Sequence, residues 1–366
     1  MSHTATLLGM PPELFDNIAN STHWKDLGSL RLVSRECAMK VSSVYKVDHF
    51  RIRRVKIATE TSITNAINIV DHPEFGAAIR ELLLIDDAAS DPFDFSWEDA
   101  ENPEKGAKDL RKAMAQYNAQ QSTMKSGSGR RLLTGLFGKC VKKGIKTLQY
   151  SSWNEGCWNY DGEWSLRSTE DIVEWQGATN DHCFMTVMLA IVSSGVSFET
   201  FKMNTGNGAG IPICTYGTDF QKGAICKAAL SNFEALDLAL CASEDDEGAG
   251  YQTALEFLTM MTQLKIRSLE VTALQHAHGD QRSPLTAFME LNFPAMKLLR
   301  LGHARLDLED LVIYLKRQKS LRELDISGCI VCFNPRMSDS EKHRFMQGLE
   351  NLKVIRRNVS LHAKLD

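Results

Sequence analysis

Apolar residues return along this chain in one repeated figure: apolar, two others, apolar, one other, apolar. It occurs at Ile79/Leu82/Leu84, Ile145/Leu148/Tyr150, Phe198/Phe201/Met203 and Phe233/Leu236/Leu238. It returns at Ile266/Leu269/Val271, Met296/Leu299/Leu301 and Leu321/Leu324/Ile326, with a weaker eighth copy at Leu352/Ile355. The last two members of each triple alternate with polar positions, which predicts a short strand with one buried face. Between the copies lie stretches with helical spacing. Asp181 to Ser194 is apolar at Phe184, Val187, Met188 and Ile191. Tyr251 to Gln263 has Leu255, Leu258 and Met261, and Asp307 to Arg317 has Leu308, Leu311, Val312 and Leu315. A strand–helix unit leaves an apolar face that only its neighbour can cover, so the pattern predicts an α/β chain of stacked units with short parallel strands. An ordinary α/β sheet with crossover helices is the alternative.

The first fifty residues follow another rhythm. Met10-Pro11-Pro12-Glu13-Leu14 sets two prolines where a helix can begin, since proline tolerates the first turn. Leu14, Phe15, Ile18 and Ala19 then recur at helical spacing until Asn20-Ser21-Thr22 interrupts. A second short helix is predicted from near Lys25 through Leu27 and Leu30. A third carries the stripe Cys37, Ala38, Val41 and Val44 to about Tyr45. A unit of this size buries too little surface to fold well alone, so its apolar faces need the rest of the chain or a partner.

The wording of this head, from Met10-Pro11-Pro12-Glu13-Leu14 through Lys25-Asp26-Leu27 to Leu30-Arg31-Leu32-Val33-Ser34-Arg35, resembles an F-box. Met10 replaces the usual leucine, and Cys37 stands where an aromatic is common; both stay apolar. The resemblance covers residues 7–48, and the stretch from Phe50 to Leu84, with His72-Pro73-Glu74-Phe75, also resembles fungal F-box proteins. It implies a three-helix docking unit for Skp1 and, through it, a cullin. The contacts it implies are Met10, Pro11, Pro12, Leu14, Ile18, Leu27, Leu30, Leu32 and Val33, buried against the partner as at any interface with an apolar centre. Some of these must instead form the unit's own core. The second apolar members of the repeated figure stand at 148, 201, 236, 269, 299 and 324, in steps of 53, 35, 33, 30 and 25 residues. Leucine-rich repeats run about 20–29 residues, and the later copies approach that period. Leu321-Arg322-Glu323-Leu324-Asp325-Ile326-Ser327-Gly328-Cys329 resembles such a repeat best, with Cys329 at the place of its asparagine or cysteine. Degenerate repeats of this kind are common in F-box proteins. Together the resemblances imply an irregular leucine-rich-repeat-like solenoid over residues 49–366, interrupted by an insertion over 86–131. The function implied is that of a non-catalytic substrate-recognition subunit of an SCF ubiquitin ligase. A Skp1-binding scaffold outside any ligase and an α/β enzyme are the alternatives.

Composition narrows this only a little. Lysine plus arginine number 42 and aspartate plus glutamate 46, a net charge of −4, which gives no general attraction to nucleic acid or to an anionic membrane. No run approaches the ~18 apolar residues of a membrane span, and the N-terminal residues do not have the pattern of a secretory signal. Nine scattered cysteines fit free thiols in a reducing compartment better than a disulfide framework. Cytoplasmic or nuclear residence is therefore expected, with no cofactor.

Six short segments bear on chemistry or on flexibility. Trp153, Trp158, Tyr160 and Trp164 concentrate aromatic rings after the second strand and are candidate target contacts; they could equally form a local core. Asn204 to Gly210 is glycine-rich but lacks the lysine of a strict phosphate loop and is expected to be a plain loop. Cys329-Ile330-Val331-Cys332 has metal-like spacing without the second ligand pair that structural zinc needs, and His276/His278/Asp280 read as a solvated loop. The acidic run from Ser243 to Gly248 reads as a solvent-exposed tip or a weak attractor for basic targets. Ser126-Gly127-Ser128-Gly129 reads as a flexible joint.

Overall fold

A computed structural model describes residues 9–86, 103–151, 181–204, 211–213, 216, 219–243, 251–274, 284–302, 304–326, 329–333, 340, 353–355 and 360–363. The chain opens with three helices: α1 (Pro12–Ser21), α2 (Trp24–Val33) and α3 (Arg35–Phe50). Pro12 starts α1 because its missing N–H would have no helical partner there. The side chain of Ser34 caps α3 by accepting from the backbone N–H of Cys37 at 3.1 Å.

A parallel sheet follows, and its strands pair almost wholly in chain order. They are β1 (Ile52–Lys56), β2 (Glu81–Ile85), β3 (Thr147–Ser151), β4 (Phe198–Asn204), β5 (Ile211–Pro212), β6 (Phe233–Ser243), β7 (Ile266–Leu274) and β8 (Leu298–Gly302). The order runs β1-β2-β3-β4-β6-β7-β8 and continues through β10 (Glu323–Asp325) and β12 (Lys353–Ile355); β5 prolongs the β4 lane beside β6. The connecting helices are α4 (Glu60–Asp71), α6 (Ser128–Lys142), α7 (Asp181–Ser194), α8 (Phe220–Leu230), α9 (Tyr251–Met261), α10 (Pro284–Met289) and α11 (Leu308–Arg317); α5 (Pro103–Lys125) packs outside α6. Each connecting helix lies against the next, so they form one layer on one face of the sheet. The molecule is α/β with a parallel sheet.

The buried face carries the alternate members of the repeated figure. Leu82, Leu148, Phe201 and Leu236 stand in register across four strands. A shift between Leu236 and Asp237 hands the row to Leu238, Leu269, Leu299 and Leu324. All eight are buried, and full burial of each such side chain contributes roughly 1.5–3 kcal/mol. β9 (Arg305–Asp307), β11 (Ile330–Phe333) and β13 (Ser360–Ala363) form a second, three-stranded parallel sheet. Cys329, just before β11, is fully buried, and its thiol donates to the Leu301 carbonyl of β8 at 3.0 Å.

Two expectations change. The joint at 126–129 is a tight turn. Gly127 has φ +69°, a left-handed conformation that glycine adopts without strain, and Ser128 already begins α6. The insertion therefore ends before α6, which is the helix joining β2 to β3.

The N-terminal helices are tied to the sheet through the turn after α4. Phe50 stacks on Phe75 at 4.4 Å, Tyr45 meets Phe50 edge-on at 5.7 Å, and His72 also stacks on Phe75, at 4.6 Å. The Arg31 guanidinium lies 4.3 Å from the Tyr45 ring centre and 5.4 Å from that of Phe75. Glu74 accepts from Lys46 at 2.6 Å and from Ser42 at 3.1 Å, contacts that hold its carboxyl below the ordinary range.

Candidate functional site

The three N-terminal helices enclose a small core of their own. Phe15 and Ala19 of α1 meet Leu27 of α2 and Val41 and Val44 of α3, with Leu30 and Tyr45 packed alongside. This separates the residues expected to touch a partner. Leu27, 1% exposed, lies in this core. Leu30 is half-buried against the same core, and Met10 is half-buried. Pro11 and Pro12 are exposed.

The remaining four are apolar and open to solvent: Leu14 at 54%, Ile18 at 41%, Leu32 at 88% and Val33 at 71%. Leu14 and Ile18 lie one turn apart on α1, on the stripe beside the inward Phe15 and Ala19. Leu32 and Val33 end α2. Met39 of α3 joins this set at 72% exposed and was not anticipated. Its signal was present: Cys37, Val41 and Val44 are the inward stripe of α3, and Met39 falls off it. Single exposed apolar residues need no explanation; here five fall within one short unit of three helices.

The aromatic candidates Trp153, Trp158, Tyr160 and Trp164 lie outside the described residues, as do the glycine-rich stretch 205–210, His276, His278, Asp280, His343 and the acidic stretch 244–250. Cys329 and Cys332 are both buried; among the described residues no cluster of three or more His, Cys, Asp or Glu is arranged to hold a metal ion. Nor, among them, is any helix long and apolar enough to cross a membrane.

Two other polar features have structural roles. Tyr150 donates to buried Asp86 at 3.1 Å, and burial, reinforced by that carboxylate, pushes the phenol far above its ordinary range. A groove of about 270 Å³ between α10 and α11 is lined by Leu285, Met289, Leu306, Ile313 and Arg317 among others. Its Arg317 donates to the Glu290 carbonyl at 2.8 Å, and its Asp307 caps α11 by accepting from Glu309 N at 2.9 Å. Comparison with protein-family profiles, with curated proteins and with solved structures finds no match.

Proposed function

We propose that this chain is a substrate-recognition subunit of a Skp1–cullin–F-box ubiquitin ligase. Its N-terminal helices act as the F-box that docks on Skp1, and its sheet domain acts as an irregular leucine-rich-repeat-like solenoid that captures a target protein. The carrying observation is the division of the N-terminal unit into a sealed core and a separate exposed apolar set, Leu14, Ile18, Leu32, Val33 and Met39. A unit that already has a core gains nothing for its own fold from those five, whereas a partner surface would bury them. The parallel strands in chain order, with the Cys329 thiol bonded back to Leu301 of β8, support the repeat reading. In this role the chain transfers nothing itself, needs no cofactor, and works where Skp1 is found, in cytoplasm or nucleus.

The test is co-purification with Skp1. The full chain should retain Skp1, and Leu32→Asp with Val33→Asp should abolish retention while the melting profile is unchanged. Wild-type chain that fails to retain Skp1 overturns the proposal. Recovery of Skp1 without a cullin would reduce it to a Skp1-bound scaffold.

A further inference from the structure

We propose that the sheet face turned away from the helices, over β1 to β4, takes an extended acidic peptide with an apolar residue at its centre. This rests on the reading above, and it names the chemical class of the target segment. The connecting helices pack one against the next on the side of the buried Leu82, Leu148 and Phe201, whereas the residues that alternate with these on β1 to β4 keep solvent exposure. In the pairing register Arg54, Leu83, Gln149 and Lys202 form one row across four adjacent strands. Ile85 stands two residues beyond Leu83 on the same side. Arg54 is exposed, and Leu83, Ile85, Gln149 and Lys202 are half-buried.

Charge sets this part of the face apart. Toward the C-terminal strands the cations are answered: Arg267 binds Asp237 through both Nε, at 3.0 Å, and Nη2, and Arg300 lies 4.0 Å from Glu270. Glu81, two residues before Leu83 on the same side of β2, is taken by Gln149 and lies 3.9 Å from Arg51. Asp237 follows Lys202 in register but is the carboxylate held by Arg267. Arg54 and Lys202 make no ion pair among the described residues. Two uncommitted cations thus flank an apolar centre.

Their spacing fits a peptide. Neighbouring strands lie ~4.8 Å apart, so three steps separate the two backbones by roughly 14 Å, which an extended peptide spans in about four residues. The matching segment is acidic, any, apolar, any, acidic. The row holds no aromatic ring to stack a base, which favours a peptide over a single-stranded nucleic acid.

The experiment is fluorescence anisotropy with the full chain and a labelled peptide containing Glu-Ser-Leu-Ser-Glu. Saturable binding is expected, weakened about tenfold when the central leucine becomes serine. Arg54→Glu and Lys202→Glu should each weaken it about fivefold or more, and the double reversal should prefer the same peptide with lysine ends. Arg54→Gln and Lys202→Gln, milder changes at exposed or half-exposed positions, should show the same direction if a reversal disturbs the fold. Equal binding of a peptide with its two acids adjacent, no effect of the charge changes, or equally tight binding of oligouridylate would overturn the inference. Skp1 retention is measured on the same samples. Retained Skp1 with no peptide selection sinks this inference alone, whereas wild-type chain without Skp1 sinks the proposed function.

Discussion

Cys329 shows how much one buried thiol settles locally. Its Sγ lies 3.0 Å from the Leu301 carbonyl, and burial pushes its pKa to about 11; burial pushes Cys140 to about 12. The ordinary value is 9.0. Both folded-state values are raised, so both states keep the proton below about pH 9 and the native contribution is complete there. Above that pH the unfolded thiols ionise while the buried ones do not, and stability falls. By about pH 11 the loss should reach roughly 2 kcal/mol per thiol. Tyr150 and Tyr314, whose phenols burial also raises, steepen the decline above their ordinary 10.0. Urea midpoints measured across this range should drop, and the Cys140→Ala/Cys329→Ala double variant should flatten the slope. A midpoint constant through pH 11 would sink the argument. Leucines give a second residue-scale contrast. Leu27→Ala should cost about 2–5 kcal/mol of the N-terminal unit's stability, as emptied core sites do. Leu32→Ala should change stability by no more than about 0.5 kcal/mol, yet weaken Skp1 retention. Thermal melts and pull-downs on the two variants separate core from surface.

At the scale of elements, the turn from α4 into β2 joins the N-terminal helices to the sheet. Gly76 has no room for a side chain: a Cβ there would stand 2.1 Å from the Val70 carbonyl oxygen. Backbone, unlike a flexible side chain, cannot yield cheaply. Gly76→Ala should therefore destabilise the fold by about 1–3 kcal/mol and shift the neighbouring Phe75 away from Phe50 and Arg31. Chemical denaturation gives the cost. Faster proteolysis within α3 than in β3 would locate it at the junction, and a wild-type midpoint would refute the packing argument. Much of this level was legible in the sequence. The strands were, because alternate residues such as Leu82 and Leu84 face one core while Leu83 does not. The three N-terminal helices were, because prolines and periodic apolar residues mark them. The start of α6 was not: Ser126 to Gly129 has linker composition, and only the left-handed Gly127 makes it a tight turn. The second sheet was missed as well, since strands as short as Arg305–Asp307 leave no alternation to read. Leu27 and Leu32 look alike in a motif, and only tertiary packing tells the buried one from the exposed one.

Across the whole molecule, pairing in chain order means that each strand of the main sheet depends on the lanes beside it. The longest strands, β6 with 11 residues and β7 with 9, pair with each other near the middle. β1 and β12 end the order, with 5 and 3 residues and one neighbour each. Opening a terminal lane breaks one set of hydrogen bonds and uncovers one apolar stripe, whereas opening the middle breaks two. Local opening should therefore cost less at the ends, and native-state hydrogen exchange reads that cost directly. Amides of Leu238, Leu240, Leu269 and Val271 should exchange slowest, and those of β12 about a hundredfold faster or more. β1 should fall between them, because α3 and the Phe50–Phe75 stack cover part of its end. The Gly76→Ala change should then speed exchange in β1 and leave β6 and β7 as they are. Equal protection from β1 to β12, or a slowing confined to the ends, would mean that the sheet opens as one cooperative block and that its lanes are not energetically separable.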